Sequence, residues 1–242
     1  SGMLPGWIAG YYSIDDCSIA LDTLAQRAGV CFVQTACIGL NIGPGFEAGQ
    51  VRCANGVDIP YDVLSLDTGP VSNLDDGGSA VTVSGAVEFG LPIRPIEGFV
   101  AAWPPVLEKV RQAHAERRAF NLLVVGDGAA GIELAFAMQT RLAAEGLVGH
   151  EGQDQAQITV LGAGAEVLSG FPSNLRRHAT QLLGRRGIAY RPQSRVVAVL
   201  SDRVRLACGA ELAADASLLV TGAAAPRWPA ASGLATDEQG FI

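Results

Sequence analysis

Apolar and polar positions change their spacing abruptly between residues 120 and 137. Residues 122–125 form a short apolar run, which is typical of a buried strand. A glycine-rich segment follows at 126–131, and the next apolar residues recur at helical spacing, at Ile132, Ala135 and Phe136. The pattern predicts a strand, a tight turn and a helix, which together begin a β–α–β unit.

The rest of the chain shows the same two kinds of pattern. Ser13 and Asp16 resemble a capping box, and the spacing after them predicts a helix that ends at Ala28. Two further helices are predicted at 104–117, exposed and with proline in the first turn, and at 173–186. Strands are predicted at 30–33, 37–40, 51–53, 61–67, 158–161, 190–200, 203–207 and 217–220.

This order of elements predicts an α/β fold. Residues 37–40 and 51–53 flank a Gly/Pro-rich turn and should form an antiparallel hairpin. Residues 122–125 and 158–161 should be adjacent parallel strands, because a helix connects them. Residues 190–207 should form a β-meander on one side of that sheet.

Composition narrows the class of protein. The chain has 242 residues, of which 49% are hydrophobic, so it can build one large or two ordinary domains. Its net charge is −7 and it has no basic run, which argues against nucleic acid and anionic membranes as main partners. No apolar run approaches the roughly eighteen residues of a transmembrane segment, and the start lacks a signal-peptide pattern. We expect a cytoplasmic protein.

Cysteines and histidines give no sign of a metal or redox site. The cysteines are odd in number and form no CxxC pair; they are Cys17, Cys31, Cys37, Cys53 and Cys208. We therefore predict reduced cysteines without a disulfide framework, a redox-active dithiol or a metal site.

The glycine-rich segment matches the GxGxxG fingerprint of dinucleotide-binding domains. Gly126 would allow the tight turn, Gly128 would let the backbone approach a pyrophosphate, and Gly131 would let the helix pack close to the strand. The N–H groups at the helix start would face the phosphate charge. The alternative is a glycine-rich turn without a ligand.

Three motifs follow one another in a familiar order: YDVLSLDTG at 61–69, VVGDGAAGIELA at 124–135 and LLVTGAAAP at 218–226. Together they resemble the two-dinucleotide flavoproteins, the pyridine nucleotide-disulfide oxidoreductases in the broad sense. The NADH-dehydrogenase-like branch, which includes the flavoprotein half fused to selenide, water dikinases, is the most similar. Leu4-Pro5-Gly6 and Ile93-Arg94-Pro95-Ile96 resemble the same branch.

The resemblance implies two Rossmann-like, three-layer domains, with the second inserted in the first. Residues 1–85 would be a partial FAD-binding domain and 86–118 a connector with a helix. Residues 119–222 would be the NAD(P)-binding domain and 223–242 the return segment to the FAD domain.

The resemblance also implies the residues that bind the cofactors. Gly126, Gly128 and Gly131 would hold the NAD(P) pyrophosphate, and Glu133 would lie near the nicotinamide. For Glu133 the alternative is an acid that complements the helix dipole. The two Thr-Gly junctions, Thr68-Gly69 and Thr221-Gly222, would mark where the chain leaves the FAD domain and returns to it, with Thr68 and Gly69 beside the flavin nucleotide.

The implied activity is hydride transfer from NAD(P)H to FAD, with electrons passed on to a quinone or another small acceptor. No side chain has to be a nucleophile or a general base, because the flavin carries the chemistry. The absence of a dithiol argues against disulfide reduction. The implied partners are NAD(P)H and the acceptor; a homodimer and a peripheral membrane location of the full-length protein are compatible with this.

The sequence departs from the family pattern in three places. The N-terminal FAD fingerprint is absent, and so are the later FAD segment and the docking portion, so the chain resembles the middle of a longer protein. The strand at 158–161 is followed by Gly162-Ala163-Gly164, where an acid for the ribose 2′-hydroxyl of NAD is expected. Glu166 comes later, and Arg176 with Arg177 could favour a 2′-phosphate or form a solvated helix face. NAD versus NADP stays open.

These departures support one alternative, a non-catalytic nucleotide-binding or regulatory module. A single-Rossmann dehydrogenase is a weaker alternative, because the only lysine, Lys109, lies in the predicted connector helix without a tyrosine beside it. Since the family's central FAD strand is missing, residues 1–85 should pack poorly and hold no FAD unless another segment supplies that strand. The local patterns at 13–28 and 61–67 should still give a helix and a strand.

Overall fold

The computed structural model of the chain describes residues 2–42, 49–72, 83–148 and 155–242. The α-helices in these ranges are α1 (Leu4–Ile8), α2 (Leu21–Ala28), α3 (Ala86–Phe89), α4 (Ile96–Ala115), α5 (Ala129–Ala144), α6 (Ser173–Arg185) and α7 (Trp228–Ala231). The strands are β1 (Cys37–Asn41), β2 (Gly49–Cys53), β3 (Asp58–Tyr61), β4 (Val71–Ser72), β5 (Leu91–Pro92), β6 (Phe120–Val125), β7 (Ala156–Leu161), β8 (Ala189–Arg191), β9 (Val196–Val199), β10 (Arg203–Leu206), β11 (Glu211–Ala213), β12 (Ala216–Leu219) and β13 (Ala223–Ala224).

The chain divides into two compact units. The larger unit comprises residues 1–17 and 72–222, and the smaller unit comprises 18–71 and 223–242. The first segment belongs to the larger unit because Leu4 and Ile8 are buried in the same apolar core as Phe99 and Leu134. These limits differ from the predicted domain limits, and the assignment of either part to a cofactor stays a prediction.

A five-stranded parallel sheet forms the centre of the larger unit, in the order β5-β12-β6-β7-β8. Leu122 lies opposite Ile158 and Val125 opposite Leu161, so the predicted pairing of these two strands is confirmed. From β6 the chain runs through β7 to β8 on one side and returns as β12 on the other side. The order of strands therefore reverses at β6, which is the topological arrangement of a Rossmann-type fold.

Successive side chains of β6 point to two different cores, as the pleat of a strand requires. Leu122 and Val124 are packed in one core with residues of α4, α5 and α6. Leu123 and Val125 are packed in the other core with residues of β9 and β10. The unit is thus a three-layer α/β structure, as predicted, with helices on one face and a small sheet on the other.

The small sheet is the antiparallel meander β11-β10-β9. The predicted meander is correct for its second part but wrong at its start. Tyr190 lies in β8, which pairs with β7 as the edge strand of the central parallel sheet. Pro192 interrupts the run because it has no N–H for a ladder hydrogen bond, so one apolar stretch becomes strands in two sheets.

The helix predicted at 104–117 begins earlier, at Ile96, and it is not simply exposed. Its buried residues recur every three or four positions, and they are Phe99, Trp103, Leu107, Val110 and Ala113. Pro104 and Pro105 lie inside α4 rather than in its first turn. Proline was a misleading start signal here, because tertiary packing of the apolar stripe continues the helix past it.

In the smaller unit β1, β2 and β3 form an antiparallel sheet, in which Leu40 lies opposite Val51. The predicted hairpin is therefore confirmed. The strand predicted at 61–67 is wrong: β3 ends at Tyr61, residues 62–70 have no regular structure, and Val63 is 91% exposed. Residues 30–33 are likewise exposed and not a strand. An apolar run becomes a strand only where a neighbouring strand satisfies its backbone groups.

The capping box forms, but it does not start a long helix. The backbone N–H of Ser13 donates to Asp16 Oδ2 at 2.9 Å, and that of Asp16 donates to Ser13 Oγ at 3.2 Å. They cap a short 3-10 turn at Asp15–Cys17, and α2 begins only at Leu21. Gly29, with φ of 66°, ends α2 as predicted.

Candidate functional site

A cleft of 440 Å³ lies at the carboxyl ends of β6, β7 and β12 in the larger unit. The strands β6 and β12 remain joined at its floor, where the N–H of Val220 donates to the carbonyl of Val125 at 2.9 Å. The residues that follow these strands, Gly126 and Thr221, both line the cleft. This is the switch point of the sheet, which is where ligands bind in open parallel sheets.

Each glycine of the fingerprint occupies a position with its own steric demand. Gly126 has φ of 122°, and a Cβ there would collide with the carbonyl oxygen of Val220. A Cβ at Gly131 would collide with the carbonyl oxygen of Gly126. A Cβ at Gly128 would meet no atom within 4 Å. Gly126 and Gly131 therefore allow close packing of backbone, whereas Gly128 leaves an open surface beside the cleft.

The N-terminus of α5 meets the cleft at Gly128. Gly128 is the N-cap residue, so no side chain caps the helix, and the first turn has no acidic residue. The N–H groups of a first turn have no partner inside the helix, and the helix dipole adds partial positive charge. The arrangement favours an anionic group such as a phosphate.

Asp127 adds a carboxylate to the cleft lining, and Tyr190 holds it. The hydroxyl of Tyr190 donates to Asp127 Oδ2 at 2.8 Å. Burial raises the pKa of Tyr190, and the hydrogen bond to Asp127 raises that pKa further. The phenol therefore stays protonated at neutral pH and remains a donor to the carboxylate.

This pair explains why a glycine follows β7. A Cβ at Gly162 would collide with the carboxylate of Asp127 and would lie 2.8 Å from the hydroxyl oxygen of Tyr190. The next residue, Ala163, lines the cleft. The acid expected after this strand is thus absent. The carboxylate at this place comes from Asp127 instead.

The arginines considered from sequence lie away from the cleft lining. Arg176 forms an ion pair with Glu166. Arg177 is exposed on α6, and neither it nor Arg176 lines the cleft. The cationic side chain that does line it belongs to Arg195, in the loop before β9.

The remaining predicted site residues fall in three places. Thr221 and Gly222 line the glycine cleft. Glu133 is exposed and lines a separate pocket of 220 Å³, together with Leu4, Pro5, Arg94 and other residues of the two short motifs near 4 and 93. Thr68 and Gly69 are exposed in the irregular segment of the smaller unit.

Sequence reasoning missed Tyr190 and Arg195. Both follow helix α6 and are far from the fingerprint in sequence, so only the tertiary structure brings them to it. A weak signal was available: the loop after the third strand of a Rossmann-type sheet lies at the same edge as the fingerprint, because the carboxyl ends of parallel strands coincide.

Comparison with known proteins agrees with this geometry. Residues 51–242 match the family model of the pyridine nucleotide-disulphide oxidoreductases. The chain belongs to this family. One curated relative is the alternative NAD(P)H-ubiquinone oxidoreductase C1, chloroplastic/mitochondrial, of Arabidopsis thaliana. It is 28% identical over 140 residues, which are 58% of this chain and 24% of the relative.

Solved structures share the fold of this pyridine nucleotide-disulphide oxidoreductase. NDH2 from Plasmodium falciparum in complex with NADH aligns with a TM-score of 0.74 at 14% identity, over 94% of this chain and 48% of that chain. The sulfide:quinone oxidoreductase of Aquifex aeolicus aligns with a TM-score of 0.75 at 17% identity, over 100% of this chain and 54% of that chain. The chain therefore spans about half the length of these two structures and 24% of the Arabidopsis relative. The predicted family and its NADH-dehydrogenase-like branch are confirmed.

Three further properties concern the described residues of this family member. Its helices there include none that is both long and apolar enough to cross a membrane. The same ranges contain no group of three or more His, Cys, Asp or Glu side chains arranged to hold a metal ion. All five cysteines lie in the described part of the chain, and each is unpaired.

Proposed function

We propose that the cleft at Gly126–Gly131 binds NAD(P)H, and that the chain is the nicotinamide-binding part of an FAD-dependent oxidoreductase that reduces a quinone or another small acceptor. The open surface at Gly128 carries the proposal. It lies at an uncapped helix N-terminus beside a 440 Å³ cleft, which is within the usual size of a ligand site.

Each side of the cleft can be matched to a part of a dinucleotide. The first turn of α5 would hold the pyrophosphate, because its N–H groups and Gly128 meet the cleft without an intervening side chain. Thr221 and Gly222, which come after β12, would form the opposite wall of the cleft. The hydrogen bond from Tyr190 fixes the carboxylate of Asp127, which keeps this charge from swinging towards a phosphate.

Glu133 is proposed to contact the nicotinamide end of the cofactor. It lies on α5 beyond the first turn and lines the pocket formed with Arg94 and Pro5. FAD would lie beside Thr68 and Gly69, which are exposed. The flavin, when bound, supplies hydride acceptance and the onward release of electrons. The protein's contribution is to bind and orient the two cofactors.

Calorimetric titration with NADH and with NADPH tests the binding step. We expect saturable binding of at least one of them to the unaltered chain, weakened at least about tenfold by Gly128→Val, because the valine side chain enters the cleft where the pyrophosphate would lie. Gly184→Val is the matched control, since Gly184 is exposed on α6 with no atom near its Cβ position. Equal binding by both variants would contradict the proposal.

The flavin part needs the full-length protein. We expect it to absorb at about 450 nm as an oxidised flavoprotein and to lose this absorbance when NAD(P)H is added. Nucleotide binding by a full-length protein without flavin would instead support the alternative, a non-catalytic nucleotide-binding or regulatory module. Reduction of a quinone by the full-length flavoprotein would identify the acceptor class.

A further inference from the structure

Two of the five cysteines lie directly opposite each other in the sheet of the smaller unit. Cys37 is the first residue of β1 and Cys53 is the last residue of β2, and the antiparallel register of the two strands pairs them. The register shifts between Cys37 and Gly39, so the cysteine pair closes the end of the ladder. Residues opposite each other in an antiparallel pair direct their side chains to the same face of the sheet. The register thus brings together two thiols that no spacing motif marks.

The backbone shows that these cysteines form a non-hydrogen-bonded pair. The N–H of Cys53 donates to the carbonyl of Val57 at 3.1 Å, and its carbonyl accepts from the N–H of Gly56 at 3.0 Å, so both groups are directed away from β1. The bond that joins β1 to β2 here lies one residue further out, from the N–H of Ala54 to the carbonyl of Ala36 at 2.9 Å. In such a pair the Cα atoms are about 4.5 Å apart and the side chains are close. This separation is within the range of about 4.4–6.8 Å that a disulfide bridges.

The two thiols are reduced and differ in their access to solvent. Cys53 is 5% exposed, whereas Cys37 is half-buried and its thiol donates to the carbonyl of Gly39 at 3.7 Å. A small reagent therefore reaches Cys37 first. Cys31 and Cys208 are exposed, and neither belongs to a strand. Exposure alone would favour oxidation of these two cysteines, whereas the register favours a bond between Cys37 and Cys53.

We propose that Cys37 and Cys53 form a redox-sensitive site, which closes into a disulfide when the protein meets a small-molecule disulfide. The thiolate of Cys37 attacks one sulfur of the reagent, breaks its S–S bond and releases one thiolate. The thiolate of Cys53 then attacks the Cys37 sulfur of the mixed disulfide and releases the second thiolate. The two protein thiols lose two electrons and two protons, and the reagent takes up both electrons as it becomes two thiols. A dithiol reverses the reaction.

The disulfide joins β1 to β2 and encloses residues 38–52 in a ring. Such a cross-link stabilises a fold mainly because it restricts the unfolded chain. The smaller unit has much to gain, because its sheet consists of the three strands β1, β2 and β3, which is near the minimum for independent stability. Oxidation therefore stabilises this unit reversibly. The inference does not depend on the proposed function, since neither cysteine lines the glycine cleft.

Peptide mapping of the folded chain after treatment with oxidised glutathione tests the bond itself. Trypsin cuts after Arg52 and so separates Cys37 from Cys53. We expect two tryptic peptides joined through these residues and released by dithiothreitol, with glutathione adducts on the exposed Cys31 and Cys208 as the measure that the reagent was active. The same treatment in urea should give a mixture of pairings, because the register is lost. Cys31→Ser is the matched control and should keep the cross-link, whereas Cys37→Ser should abolish it.

Urea unfolding and hydrogen exchange test the consequence. Oxidation should raise the unfolding midpoint of the smaller unit and slow exchange of the β1 and β2 amides at least about tenfold. Neither quantity should respond to the reagent in Cys37→Ser, and the peptide map of the unaltered chain decides the matter if this variant does not fold. The inference is wrong if Cys37 stays free, or keeps a glutathione adduct, while the exposed cysteines react. A cross-link through Cys31 or Cys208 in the folded chain would contradict it as well.

Discussion

The hydroxyl of Tyr190 donates a 2.8 Å hydrogen bond to the carboxylate of Asp127, the residue between the first two glycines of the fingerprint. The bond joins the edge strand β8 to the turn after β6, across the end of β7. Both side chains are half-buried. The glycine-rich turn is therefore fixed by a side chain from outside the fingerprint.

Tyr190→Phe should destabilise the larger unit by about 1 kcal/mol, because the carboxylate of Asp127 loses its donor. The pH dependence gives a second readout. Burial and the bond to Asp127 raise the pKa of Tyr190, so the unfolded chain loses this proton first as the pH rises. The contribution is complete below about pH 10, the ordinary pKa of tyrosine, and it is lost progressively above that value. Urea unfolding at pH 8 to 11 should show a shallower alkaline decline for Tyr190→Phe; an unchanged slope would contradict this origin.

Gly131→Ala should destabilise the fold by about 2 kcal/mol or more, because its Cβ meets the carbonyl oxygen of Gly126, which is backbone and cannot rotate away. Gly184→Ala should have the opposite effect. Gly184 is also a helical glycine, but its Cβ position is open, so alanine should stabilise α6 by about 0.5–1 kcal/mol. Denaturant unfolding of the two variants measures both signs, and a gain of stability in both would show that helix propensity, not contact, decides.

Gly162→Ala should cost about 1–3 kcal/mol, since its methyl group has to displace the Asp127 carboxylate or the Tyr190 hydroxyl. Gly170→Ala, at an exposed position with open space, serves as the control and should change stability by less than about 0.5 kcal/mol. In an Asp127→Ala background the cost of Gly162→Ala should fall, and the difference is the coupling free energy of a double-mutant cycle. Additive effects would mean that the contact with Asp127 is not the cause.

Limited digestion with a protease of broad specificity should cut first within residues 62–70 of the smaller unit. This segment is irregular and includes Val63, which is 91% exposed, whereas β5 and α4 hold the chain from Leu91 onwards in the larger unit. We expect a resistant fragment that retains 91–222, identified by mass spectrometry. Early cuts in β6 or α5, with the sheet of β1, β2 and β3 intact, would reverse the assignment of the stable unit.

The sequence alone determined the elements whose signals are local. The strand β6, the turn at Gly126 and the helix α5 follow from an apolar run, a steric requirement for glycine and helical spacing, which all lie within eighteen consecutive residues, 120–137. The pairing of β6 with β7 also followed from sequence, because a single helix connects parallel neighbours. The family resemblance rested on three motifs in order, which need no knowledge of their contacts.

Only the tertiary structure decided the features that depend on distant neighbours. Residues 61–67 have a strand-like pattern but remain outside any sheet, because no strand satisfies their backbone groups. Pro104 and Pro105 lie within α4, because burial of Phe99 and Trp103 outweighs a local stop signal. Tyr190 and Arg195 lie at the glycine turn only because the carboxyl ends of parallel strands lie at one edge of the sheet. The order in which the strands pair decides which of the following loops are neighbours there.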